Sequence, residues 1–200
     1  MPTEAKDRRV IDVLLSHQIL RDFNLGELPD EGYVVAACGD KDRFIHGTLD
    51  HLLQLRKPGG AMPHLVCFNG GPLVIPLCSP LNAENDGKSM LRQIYGAVRI
   101  KNLRAVCTIV HAPCGAGGDA NLNMLESLLL HALVPAAMRD FGKKRDLPML
   151  DVIPLFNVEY PGADGEFFRT YRFEHELFQT FMTTPKARQL EELYGRAVAV

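Results

Sequence analysis

The 200-residue chain has no run approaching the roughly 18 apolar residues that a membrane-crossing helix needs. Its opening stretch, Met1-Pro2-Thr3-Glu4-Ala5-Lys6-Asp7-Arg8-Arg9, lacks an apolar signal core and a cleavage site, so the cytoplasm is the expected compartment. A charge excess is also missing. Lys and Arg number 22 against 24 Asp and Glu, a net charge of −2, and neither nucleic acid nor a membrane surface is an expected partner. Cysteines are few and odd in number, five, which argues against a disulfide framework. No internal repeat, low-complexity segment or linker divides the chain. With 46% apolar and 23% charged residues, it reads as one domain over 1–200.

What is present is an alternation of strand-like and helix-like stretches. Apolar positions Val10, Ile11, Leu14, Leu15, Ile19 and Phe23 predict a helix over about 5–23, packed on the sheet or on a partner subunit. Residues 33–38, 64–68, 104–110 and 150–158 predict strands, and 166–173 an antiparallel return. Leu73–Leu77 contains Pro76 and reads as an edge strand or extended loop. Helices are expected from Thr48 or Asp50 to Leu55, over 88–99, from Leu122 to Phe141 behind a cap at Asp119 or Asn121, and over 185–197. This order predicts an α/β fold, a mainly parallel central sheet covered by helices with an antiparallel C-terminal strand. Met124, Met138, Phe141 and Phe173 are expected in the core, and Cys67, Cys78 and Cys107 read as buried small hydrophobes.

Two strand ends carry chemistry. Tyr33-Val34-Val35-Ala36-Ala37 leads into Cys38-Gly39-Asp40, and Ala105–Val110 leads into His111-Ala112-Pro113-Cys114-Gly115. Ligand sites in open α/β sheets lie beyond the carboxyl ends of parallel strands. Two thiols and an imidazole there form a candidate zinc site, Cys38/His111/Cys114, whose fourth position is left to Asp40 or water. A water bound to such an ion has its pKa lowered to about 7 and attacks a small electrophilic carbon. Arg43 could pair with Asp40 and hold it off the metal.

Plainer readings stand beside these. The three ligands could be two buried thiols and a core histidine, or Cys38 and Cys114 a redox pair, although Cys-x-x-Cys is absent. Asp40 and Arg43 could be a solvated loop ion pair, and His46, His51 and His64 surface residues rather than proton shuttles. Gly115-Ala116-Gly117-Gly118 reads as a flexible loop that could cradle an anion in a domain without metal, but it is neither G-x-G-x-x-G nor a Walker loop.

Cys-x-Asp followed far downstream by His-x-x-Cys-Gly resembles the β-class carbonic anhydrases. The order of elements over 33–118 resembles that family too, and Phe68-Asn69-Gly70-Gly71 stands where it has an Arg-Asn-Ala-Gly loop. The resemblance implies that Cys38, His111 and Cys114 hold Zn2+, that Asp40 and Arg43 form the catalytic dyad, and that Asn69, Gly70, Gly71 and Gly115 line the substrate pocket. It implies reversible hydration of carbon dioxide to bicarbonate by a homodimer or larger assembly, with residues 5–23 as a swapped helical arm. Two departures mark this chain. The family pattern Cys-x-Asp-x-Arg is replaced by Cys38-Gly39-Asp40-Lys41-Asp42-Arg43, which moves arginine one residue on, and Phe68 replaces the loop arginine. The alternative implied by these departures is a carbonic-anhydrase-like zinc protein that acts on another small substrate or serves as a binding or regulatory module.

Overall fold

The computed structural model describes residues 4–24, 26–40, 49–54, 60–162 and 165–195. In chain order the elements are α1 (Ala5–Ser16), β1 (Leu20–Asp22), β2 (Val34–Cys38), α2 (Asp50–Gln54), β3 (His64–Phe68), α3 (Asp86–Lys101), β4 (Ala105–Ala112), α4 (Gly115–Asp119), α5 (Met124–Lys143), β5 (Asp151–Gly162), β6 (Gly165–Phe173), α6 (His175–Phe181) and α7 (Pro185–Glu192). Six strands form one sheet in the order β1-β6-β5-β4-β2-β3. β3, β2, β4 and β5 run parallel, and β6 and then β1 add antiparallel pairings. The expected architecture of a mostly parallel sheet flanked by helices is what the chain adopts.

β4 explains why. All eight of its residues are buried, as a central parallel strand covered on both faces requires. Val106 and Val110 face one side with Val34, Ala36, Phe156 and Phe173, beneath α1, α3, α5, α6 and α7. Cys107 and Ile109 face the other with Val35, Ala37, Ile153 and Leu155, beneath Phe23, Leu28, Tyr33 and Leu52 of α2. Met124, Met138, Phe141 and Phe173 are buried as expected.

Several local expectations are corrected. The helix expected over 5–23 ends at Ser16, where the chain turns through Gln18 at φ +57°. Ile19 closes the turn by hydrogen-bonding back to Leu14, and β1 then pairs with β6. α1 buries Val10, Ile11 and Leu14 completely, in one cluster with Leu128, Phe178, Phe181 and Leu190. Each such side chain contributes about 1.5–3 kcal/mol. Leu73–Leu77 is not extended: Gly71–Val74 forms one buried 3-10 turn. The long helix α5 is capped by Asn123, not Asp119 or Asn121. Asn123 Oδ1 accepts from the Glu126 N–H at 2.9 Å, and Glu126 accepts from the Asn123 N–H at 2.8 Å. Gly115–Asp119 is a short helix, not a loop, and α6 was not foreseen. Cys107 is buried, whereas Cys67 and Cys78 are exposed. Cys67 alternates outward along the edge strand β3, where no second layer covers it among the described residues.

His131 of α5 lies fully buried under the sheet, stacked on Phe173 at 5.3 Å between ring centroids. Its Nε2 donates to the Thr108 carbonyl at 3.1 Å. Burial holds the imidazole neutral, pushing its pKa from 6.5 down to about 3. Below pH 6.5 the unfolded chain therefore takes up a proton that the folded chain refuses, so stability falls with pH until about pH 3. Between pH 7 and pH 5 the loss from this group is about 2 kcal/mol. Urea denaturation should show the stability of His131→Gln falling less across that interval by about this amount; equal losses in both proteins would refute the assignment.

Candidate metal centre

Strand order places the site. β2 lies between β3 and β4: the connection through α2 leaves toward β3, and the chain returns through α3 to β4 on the opposite side of β2. The crevice of such a sheet opens where neighbouring strands send their connections in opposite directions, here at the carboxyl ends of β2 and β4. Cys38 is the last residue of β2, and His111 lies one residue before the end of β4. Cys114 follows at the entry to α4.

These three residues meet. Cys38 Sγ, Cys114 Sγ and a nitrogen of His111 lie within 4.8 Å of one another, the group among the described residues able to hold a metal ion. A tetrahedral ion bound at about 2.3 Å to sulfur and 2.0 Å to nitrogen requires ligand atoms under about 4 Å apart, so small side-chain adjustments complete the coordination. Cys38 and His111 are buried, at 6% and 7% exposure, and Cys114 is partly so.

Surrounding groups orient each ligand. His111 Nδ1 is 3.0 Å from the Pro113 carbonyl oxygen. A carbonyl only accepts, so Nδ1 carries the proton and the buried Nε2 presents its lone pair, the tautomer a metal needs. The Cys38 sulfur accepts hydrogen bonds from the Cys114 thiol and from the Asp40 N–H, which hold it as thiolate well below the usual cysteine range against the opposing effect of burial. Cys114 is pushed up, because its proton is the one shared with Cys38 and because it is buried; the N–H groups of Gly117 and Ala116 partly offset this. The pair thus holds one proton between two sulfurs, and a cation placed there takes that proton's position.

The glycine turn at 115–118 consequently serves Cys114 through its amides, in place of an anion cradle. Asp40 contributes its backbone N–H to Cys38, and its carboxylate is not part of the ligand group. Arg43 and His46 lie outside the described residues, as does the His51 side chain; His64 is partly exposed.

Of the expected pocket loop, Asn69 is exposed and Gly70 and Gly71 are buried. Gly71 has φ +57°, and a Cβ there would stand 2.6 Å from the Cys38 nitrogen and 2.9 Å from the Ala37 carbonyl carbon. This glycine lets the turn press on the end of β2 and so fixes where Cys38 points. A cavity of about 660 Å3 opens beside His111 and Cys114. Its wall includes Gly117, Gly118, Asn123, Ser127 and Tyr194, and none of Asn69, Gly70, Gly71 or Gly115. Sequence reasoning missed Asn123, Ser127 and Tyr194. The Asn123-x-x-Glu126 spacing of a capping box was the available signal for the first; nothing local marks the other two.

Gly71→Ala should lose metal by elemental analysis, and its melting temperature should drop by several degrees, because backbone rather than a flexible side chain must give way. Retention of both metal content and melting temperature would show that the turn does not position Cys38. Compared with known proteins, the chain matches no family model and no curated protein.

Proposed function

We propose that this protein is a zinc-dependent lyase of β-carbonic-anhydrase type that interconverts carbon dioxide and bicarbonate. The observation that carries the reading is the meeting of Cys38, His111 and Cys114 at the carboxyl ends of adjacent parallel strands. Two thiolates and an imidazole suit zinc, and among the described residues three ligands gather rather than four, the number that leaves a position open in catalytic sites. When bound, the ion supplies a Lewis acid and a water acidified to about pKa 7.

The remaining work falls to the chain. The Pro113 carbonyl fixes the His111 tautomer, and the amides of Ala116, Gly117 and Asp40 stabilise the sulfurs as thiolates. In this reading the Asp40 carboxylate would accept a hydrogen bond from water held by such an ion, and Arg43 would pair with that carboxylate and hold it off the metal. Among the described residues no helix is long and apolar enough to cross a membrane.

A second reading is favoured by two observations, the arginine displaced from position 42 to 43 and the cavity of about 660 Å3, which lies in the size range of organic-ligand pockets. In it the same metal centre acts on a small substrate other than carbon dioxide.

Elemental analysis should find about one zinc per chain, lost in Cys114→Ala. Stopped-flow assays of the zinc-loaded protein should show carbon dioxide hydration that disappears with the metal. Absence of hydration throughout pH 7 to 9 in zinc-loaded protein would reject the first reading. A gain of hydration in Asp42→Arg would show that arginine placement limits it.

A further inference from the structure

We infer that a second cavity, bounded by residues 75–85, the start of α3 and the end of α5, binds an organic anion of the medium-chain fatty carboxylate class. It encloses about 540 Å3, within the roughly 300–1,000 Å3 of organic-ligand pockets. It shares no lining residue with the cavity beside His111 and Cys114, so it stands or falls apart from the metal reading.

The wall is apolar. Ile75, Leu91 and Phe141 belong to the core beneath the sheet and also line this cavity, and Leu133 and Ala137 of α5 are only partly covered there. Leu77, 95% exposed, stands on the rim. One exposed leucine is ordinary, but this one extends an apolar wall out to solvent. An acyl chain laid along that wall removes apolar surface of both partners from water.

Charge selects an anion. Lys88, Lys144 and Arg145 line the cavity against a single carboxylate, Asp140, on a chain whose net charge is −2. None of the three cations forms an ion pair among the described residues. Lys144 and Arg145 follow α5 at its carboxyl end, where the helix dipole favours a cation in any case. Lys88 is different: it stands in the first turn of α3, the end at which a cation opposes the dipole. A positive charge kept where its own helix disfavours it points to an anion beside it.

Arg145 is also held in place. Its guanidinium carbon lies 3.9 Å from the centre of the Phe141 ring, and Nη1 is 3.5 Å from the Phe141 carbonyl oxygen. Phe141 is itself 8% exposed and stacked on Tyr95 at 5.6 Å between centroids. Stacking uses the face of the guanidinium and leaves its edge to donate to a carboxylate. The ligand's head is thereby placed at the cationic rim and its chain on the apolar wall. A small inorganic anion would leave the wall wet, and a neutral lipid would leave the cations without a partner.

The test uses two exposed thiols as reporters. Cys78 lines the cavity, whereas Cys67 lies in β3 and does not. Decanoate below its micelle threshold should saturably slow alkylation of Cys78 by iodoacetamide and leave Cys67 unchanged, read by peptide mass spectrometry. Half-protection is expected between micromolar and millimolar decanoate, and each methylene removed toward hexanoate should weaken it about 2- to 4-fold. Decanol and inorganic phosphate should protect less than decanoate. Lys88→Gln and Arg145→Gln, both at exposed positions, should each weaken decanoate about 2- to 5-fold and leave decanol unchanged. Ala137→Phe should weaken both by filling the space beside the wall. Equal protection by decanol and decanoate, equal protection of Cys67 and Cys78, no saturation, or decanoate binding unaltered in all three variants would overturn the inference. Cosedimentation with anionic phospholipid vesicles, without protection by soluble decanoate, would overturn it in favour of a membrane surface.

Discussion

The parallel pairing of β2 with β4 is the constraint on which the rest depends. Neither strand end holds a site alone: Cys38 and His111 are separated by more than seventy residues, and only the adjacency of their strands puts them in one crevice. That adjacency follows from the crossover through α3, which carries the chain past β2 before β4 begins. The burial of all eight β4 residues makes the pairing rigid, because a one-residue slip would turn His111 to the opposite face and bury a different set of side chains.

Much of this was legible beforehand because the signals were strong and local. Val34–Cys38 is a continuous apolar run and Ala105–Ala112 one broken only by Thr108 and His111, the pattern of parallel strands covered on both faces. The first run ends on Cys38 and the second holds His111 one residue from its end, so the Cys38/His111/Cys114 group could be named from strand ends. The face of α3 was legible for the same reason: Met90, Leu91, Ile94, Tyr95 and Val98 recur at helical spacing and are all buried.

The failures came where tertiary pairing overrode periodicity. Ile19 and Phe23 continue the helical spacing of α1, yet an edge position beside β6 captured Leu20–Asp22 as a strand. Leu73–Leu77 has the composition of a strand, but a glycine at φ +57° starts a helical turn that no apolar count reveals. Gly115–Gly118 reads as flexible by composition, whereas its amides are committed to Cys114. Cys67 looked like a core residue because the sequence does not say which strand lies at the sheet edge. Ser127 could not be picked out at all: it sits in an ordinary helical stretch, and its significance comes only from the empty volume next to it.

The hydrogen bond between Asp7 and Tyr194 joins positions 187 residues apart across the rim of the cavity. Helix ends and the segments flanking them open more readily than strands in a sheet interior. Fraying of either the first or the last helical region would unlatch the same rim, so substitutions in two surface-looking stretches, remote from every ligand, share control over how quickly small molecules enter and leave.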